Sequence, residues 1–442
     1  MDAFESLQTG FGKVDYTPDF PVGLAGYGGD FARRNTEIVS KVYITCIAAR
    51  QKDTTILLYT VDTCCVRLMH AQRFRTAIEA AVGVPETNIF FGATHGHNCP
   101  SMVPEKEPSV AETLDLMERA VVQAAKTAIE DLAQTQIQAA KPTIPDMNFT
   151  RHYRLANGVR ASANAGMMRK DDPIVGYLGP NDPQMMLVRF VREDKQDIIL
   201  MNWQAHPDDA KEIGFSSIAS GFIGPARDEL EALSGCHVAY FTGAAGNQVH
   251  HSWLSEPANE LAYDEYGKKL GQLAFAAFDQ LQPVTEDGIQ TARTMLQVAV
   301  NHTEDHKVAQ AQDVVDHVGK LEKDELKALY KSYGFGTVAH ARGVLMRAKM
   351  EATQELELNA FRIGPIAFAN NTCETMSDQG LHIKAYSPYE YTFMVTGCRG
   401  YLASKQIYDY KAYEALGGSA NYVRGTAEEM ADKLLELLTQ LQ

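Results

Sequence analysis

Apolar positions in this chain fall into short continuous runs that alternate with longer segments of helical spacing. Runs at 42–49 and 55–61 predict buried strands, and Leu68–Val82 predicts a helix after them. Residues 88–93 form another apolar run. Ser109-Val110-Ala111-Glu112 has the form of a capping box and predicts a helix from there to about Ala133. Runs at 186–191 and 197–203, split by a polar turn, predict a strand pair. His237–Thr242 predicts a strand and 260–280 a helix. Residues 303–350 are helical in spacing and heavily charged, as a solvated insertion would be, and 355–369 returns to strand. Thr426-Ala427-Glu428-Glu429 is placed to cap a terminal amphipathic helix. No internal repeat, linker or domain break interrupts this order. It predicts the α/β class: a single large mixed-sheet domain over 1–442, flanked by helices, with a helical insertion at 303–350.

Composition narrows the partners. The 442 residues are 45% hydrophobic and 22% charged, as in ordinary water-soluble proteins. The seven cysteines are scattered without C-x-x-C spacing, which argues against a disulfide framework or a zinc knuckle and predicts a reducing, cytoplasmic location. The N-terminus carries no basic region followed by an apolar run, so no signal peptide is expected. No apolar stretch reaches the length of about 18 residues that a membrane span requires, so no stable membrane insertion is expected. A net charge of −15 opposes binding to nucleic acid and anionic surfaces. A small-molecule partner is expected, and the sequence carries no signature of an oligomeric state.

The candidate chemistry lies just past the strand runs. Phe90-Phe91-Gly92-Ala93-Thr94-His95-Gly96-His97 delivers two histidines spaced i, i+2. If extended geometry continued past the strand, both imidazoles would point to one side. Imidazole is the commonest side-chain metal ligand, so the pair suggests metal-assisted chemistry; the alternative is a loop with two solvated histidines. Asn202-Trp203-Gln204-Ala205-His206 and Ala369-Asn370-Asn371-Thr372-Cys373-Glu374 also follow apolar runs. Three ligand-competent segments at three strand ends suit a catalytic Zn²⁺, which takes N and O ligands from distant segments and keeps one position open.

Four motifs carry a family resemblance. Thr94-His95-Gly96-His97 is similar to T-H-T-H, Asn202-Trp203-Gln204-Ala205-His206 to N-W-F-A-x-H, and Cys373-Glu374-Thr375-Met376 to G-E-x-T-x-M. Gly400-Tyr401 with Tyr413-Glu414-Ala415 is similar to a G-Y…Y-E-G pair. In this order they resemble the catalytic domain of the neutral/alkaline ceramidase family and its bacterial relatives. The resemblance runs from Pro21-Val22-Gly23-Leu24-Ala25-Gly26-Tyr27-Gly28 to about Gly418. It implies that His95, His206, Glu374 and Tyr401 hold Zn²⁺, that His97 faces substrate and that Tyr413 contacts the reacting group. Arg151, in Asn148-Phe149-Thr150-Arg151, resembles the arginine of N-x-N-R and would steady a developing oxyanion with His97 and Tyr413. Glu374 could double as proton acceptor. The activity implied is amide hydrolysis by a water that the metal ionises near pH 7.

The match has departures. Asn98-Cys99-Pro100-Ser101-Met102 replaces a glycine-rich S-G-P-G-G, Asn247 replaces an aspartate, and Val249 stands where the family has a serine. Ile218-Ala219-Ser220-Gly221-Phe222 lacks the acidic residue of I-S-G-D or I-S-A-D, and the family's C-terminal β-sandwich is not expected here. These losses point away from ceramide and toward a smaller, more soluble N-acyl compound.

Other signatures compete. Thr94–Pro100 lacks two ligands of the metallo-β-lactamase signature T-H-x-H-x-D-H. Ala205-His206-Pro207-Asp208-Asp209 matches most of A-H-P-D-D-E, the mark of zinc N-deacetylases acting on amino sugars, but lies mid-chain and is followed by Ala210. An H-x-H barrel amidohydrolase would need an eightfold β/α pattern that is missing. Gly334-Phe335-Gly336-Thr337-Val338-Ala339 imitates a dinucleotide-binding turn but follows a helix, so it reads as a helix stop. A non-catalytic member that binds zinc or a ligand without turnover remains the rival from outside the enzymes.

Overall fold

The computed structural model describes residues 6–442 apart from 28–32, 104–107, 164–172, 255–260, 286, 398–399 and 417–418. Gly28, Cys398, Gly418 and the start of the segment 260–280 lie outside the described residues.

A run apolar at every position is a strand buried on both faces, because alternate side chains point to opposite sides. Ile198–Trp203 shows this directly. Ile198 and Leu200 face one core, while Ile199, Met201 and Trp203 face another. The main sheet is built from β1 (Gln8–Asp15), β2 (Tyr43–Gln51), β3 (Thr54–Val61), β4 (Ile89–Ala93), β5 (Ala133–Ala140), β6 (Met186–Arg192), β7 (Ile198–Trp203) and β8 (His237–Thr242). Their order is β8-β7-β6-β5-β1-β2-β3-β4, and the short strand Gln282–Val284 adds to β5. The pairs β3–β4 and β7–β8 are parallel and the rest antiparallel, so the sheet is mixed.

A second sheet comprises β9 (Ile289–Ala299), β10 (Thr353–Ile363), β11 (Ile366–Asn371) and β12 (Tyr391–Thr396), in that order. It lies face to face with the first. Phe361, Phe368 and Phe393 share a core with Phe90, Leu200 and Phe241, and the Phe90 and Phe361 rings stack at 4.1 Å. Helices cover the outer faces. Leu68–Val82 (α1) and Pro108–Glu130 (α2) cover one half of the main sheet, and Ile223–Ser234 (α3) and Tyr263–Ala276 (α4) the other. The terminal helix Thr426–Gln440 covers the second sheet. The result is four layers, helix–sheet–sheet–helix, of mixed α/β class. Among the described residues no helix is long and apolar enough to cross a membrane.

The segment 303–350 interrupts a hairpin. β9 and β10 pair from Ile289↔Ile363 to Ala299↔Thr353, and helices Val308–Asp316, Lys323–Ser332 and Val338–Arg347 stand between them around a small core of their own. Gly334, with φ 75°, follows Lys323–Ser332 and stops it, in agreement with the sequence.

Several local expectations need correction. α2 begins at Pro108, so Ser109 is inside the helix rather than its cap. Proline suits a first helical position because its missing N–H has no partner there. That helix ends at Glu130, and Ala133 opens β5. Thr426 is likewise the first helical residue, and the cap is Gly425 at φ 107°. The apolar stretch 355–369 is two strands, because Gly364 takes φ 56° and turns the chain.

β1 lacks a clear strand signature because Gly10 and Gly12 interrupt it. The fold needs both. A Cβ on Gly10 would run into the Ala128 carbonyl oxygen, and one on Gly12 into that of Ala124, so α2 sits directly on the strand backbone. Gly10→Ala should therefore cost about 1–3 kcal/mol by overpacking, read as a lower urea midpoint at unchanged slope. An unmoved midpoint would contradict this contact.

Candidate metal centre

The candidate residues come from loops that leave the ends of β4, β7, β11 and β12, and polar side chains tie those ends together. The Thr242 hydroxyl donates to the Thr94 carbonyl at 2.7 Å, and that of Thr396 to the Thr242 carbonyl at 3.4 Å. The Asn202 amide donates to Phe241 and Met394, and the Asn370 amide to Phe91 and Val395. Each amide bridges the main and second sheets, so the two layers present their loops to one place.

At that place three imidazoles converge. His95 Nε2 is 2.9 Å from His206 Nε2 and 3.2 Å from His97 Nε2, and His206 and His97 are 3.1 Å apart. All three are buried. The i, i+2 pair does meet, but not by strand alternation. β4 ends at Ala93 and His95 adopts φ 66°, the left-handed region that costs a non-glycine residue energy. That turn folds the loop so that His95 and His97 reach the same point.

Backbone contacts orient two of the rings. His95 Nδ1 lies 3.0 Å from the Cys64 carbonyl, and His206 Nδ1 lies 3.3 Å from that of Ala245. A ring that donates from Nδ1 keeps a lone pair on Nε2, the arrangement a metal-binding histidine needs. Glu374 Oε2 sits 3.3 Å from His95 Nε2 and is buried with no hydrogen-bond partner among the described residues. Donor atoms of His95, His206 and Glu374 all lie within 4.8 Å of one another, as do those of Cys64, His95 and His97. Ligands about 2.0–2.1 Å from a tetrahedral zinc stand about 3.4 Å apart, so the residues present fit such an ion.

Electrostatics divide the histidines. Burial, His95, Arg151 and His97 together hold His206 well below the usual imidazole range, so it is neutral and able to ligate. For His95 burial acts downward, but Cys64 and Glu374 outweigh it and raise the ring well above that range, so an ion bound there would have to displace its Nε2 proton.

Tyr401 is paired in register with Glu374 across two short parallel strands, which sets the two side by side. Tyr413 opens a short 3₁₀ turn, and its ring meets that of Tyr401 edge-on at 5.8 Å. Arg151 is no surface charge. Its side chain is buried, lies 5.2 Å from the Tyr401 ring centroid, and donates from Nε to Glu414 Oε1 at 2.7 Å. His152 Nε2 lies 2.8 Å from the other oxygen of Glu414. All seven sequence-derived residues thus gather in one region.

Sequence reasoning missed Glu414, His152 and Cys64. Glu414 adjoins Tyr413 in the quoted motif, and a charged residue there was a usable signal. The departures also find places. Asn247 accepts from the Ser377 backbone N–H at 2.7 Å and donates to its hydroxyl at 3.0 Å. Val249 forms a backbone bridge with His206.

No protein-family model matches the sequence, and no curated protein does. Solved structures do match in fold. Neutral ceramidase from Pseudomonas aeruginosa superposes with a TM-score of 0.73, covering 99% of this chain and 74% of that one at 15% identity. A ceramidase complexed with C2 gives 0.70, covering 99% of this chain and 75% of that one at 16% identity. The chain has the ceramidase fold.

Proposed function

We propose that this protein is a zinc-dependent hydrolase that cleaves the amide bond of a small N-acyl compound, with ester cleavage open to the same attack. The observation that carries the reading is the convergence of three imidazole Nε2 atoms with the buried Glu374 Oε2, 3.3 Å from His95 Nε2. His95, His206 and Glu374 would hold the ion, with Tyr401 beside Glu374 as fourth donor. Bound there, zinc would supply Lewis acidity and a water that ionises near neutral pH.

The chain's own residues account for the rest. Arg151 is fixed by Glu414 and brings a positive charge to the place where the carbonyl oxygen gains charge, so it needs no reorganisation. Tyr413 donates its hydroxyl to the same oxygen, and His97 supplies the proton that the leaving amine requires. The ceramidase resemblance supports the reaction class. The departures around Asn98–Met102 and the acidic balance favour a soluble N-acyl substrate over a membrane lipid, in a cytoplasmic setting.

Glu374→Gln separates an enzyme from a binding protein. Turnover of an N-acyl amide should fall at least ~10³-fold, about 4 kcal/mol of transition-state stabilisation. Unchanged turnover would end the proposal. Tyr413→Phe should lower kcat by about 10–10²-fold while metal content stays at the wild-type level; a wild-type rate would remove its role. The three-way approach of the imidazoles also supports a second ligand set in which His97 binds the ion. Metal content of His97→Ala decides between them, since the first set keeps the ion and the second loses it.

A further inference from the structure

We propose that Asp208, His250 and His251 form a second site, for a divalent first-row transition cation, beside the centre built on His95, His206 and Glu374. Neither the hydrolytic reading nor the family resemblance uses these residues. One donor atom from each lies within 4.8 Å of the other two.

The chain delivers them from two loops. Asp208 follows His206 in Ala205-His206-Pro207-Asp208-Asp209, and the adjacent pair His250-His251 follows the short strand Gln248–Val249. The Val249–His206 backbone bridge holds the loops together.

His250 has the surroundings of a ligand. It is 8% exposed, and its Nδ1 has no hydrogen-bond partner among the described residues. Its other nitrogen, Nε2, faces Asp209 Oδ1 at 3.4 Å. Asp209 is itself anchored, because its Oδ2 accepts from the Phe222 backbone N–H at 2.9 Å. The buried, unpartnered Nδ1 is the nitrogen available to a cation. The rings of Tyr266, His251 and Phe222 stand 4.9, 5.1 and 5.5 Å from His250 and fix its plane.

Gly221 makes room for this arrangement. It has φ 61°, and a Cβ there would lie 2.5 Å from Asp209 Oδ2. The residue that breaks the family's I-S-G-D pattern is therefore the one that admits the Asp209 carboxylate.

Asp208 Oδ1 is also buried without a hydrogen-bond partner among the described residues, although Asp208 and His251 as whole residues are half-buried, which leaves an ion a way in. Two imidazoles and one carboxylate suit zinc or a neighbouring transition ion; calcium and magnesium prefer oxygen donors. Tyr27 links the sites, donating to the Asp208 carbonyl at 2.8 Å and meeting His97 edge-on at 5.1 Å.

The test is a count of bound zinc. Full-length protein is stripped with chelator, reloaded with Zn²⁺, desalted and measured by mass spectrometry. Wild type should hold about two ions per chain, and His251→Ala, Asp208→Asn and His206→Ala about one each. The half-buried positions are chosen because His250→Ala removes a ring packed on Phe222 and Tyr266; thermal unfolding checks that each variant is folded. Two ions in wild type and two in both His251→Ala and Asp208→Asn would overturn the assignment. One ion in wild type, lost in His206→Ala and kept in His251→Ala, would overturn the second site and leave the proposed function standing. No ion in wild type would overturn both.

Discussion

Replacing His206 with alanine should remove the ion of the first centre and lower amide turnover at least ~10³-fold, while the protein stays folded. His206 comes from the end of β7 and meets His95 and His97 at 2.9 and 3.1 Å. Of the proposed ligands its removal leaves one imidazole, one carboxylate and the Tyr401 phenol, a weaker donor set for zinc than the two imidazoles and carboxylate of the intact centre. Its ring lies at the end of a strand bonded on both sides, so the sheet does not depend on it. Metal analysis and kinetics on the same preparation check this. Full turnover with lost metal, or full metal with lost turnover, would break the link between the ion and the chemistry.

Glu414→Gln should destabilise the protein by about 3–5 kcal/mol near neutral pH, because it strands the buried Arg151 guanidinium. Burial alone would raise the Glu414 carboxyl, but His152 and Arg151 bring it down to about 2. A carboxylate in an unfolded chain titrates near 4.3. The folded value is the lower one, so the ionised form stabilises the fold fully above about pH 4.3. That contribution is lost as pH falls from there through about 2. The stability gap between wild type and Glu414→Gln should therefore be widest above about pH 5 and should narrow below about pH 4. Urea unfolding across that range measures it, and a gap independent of pH would mean that the pair is not the source.

The candidate ligand residues were legible because chemistry-bearing side chains directly follow apolar strand runs, and those runs survive as β4, β7 and β11. The cause inferred for the His95–His97 meeting was wrong. Strand alternation stops at Ala93, and a left-handed turn at His95 does the work instead. Such a turn leaves no trace in residue type when it falls on histidine. Arg151 was legible only through the family resemblance, since its burial depends on Glu414, 263 positions away in the chain. His152 was invisible for the same reason, whereas Glu414 left a signal in the motif it shares with Tyr413. β1 escaped because glycines that a close helix requires also erase the apolar alternation of a strand. The layered α/β class came through because runs apolar on both faces admit few arrangements other than sheets covered on both sides.

The central claim is that metal held at this centre drives amide hydrolysis. The most direct test is to assay one soluble N-acyl amide with the protein as purified, stripped by chelator, and restored with zinc in amounts counted per chain. The account predicts that stripping abolishes turnover and that restoring zinc returns it in proportion to the occupancy that His206→Ala cannot hold. Equal turnover in stripped and loaded protein would contradict it, as would a fully loaded protein that hydrolyses no amide in a panel of soluble N-acyl compounds.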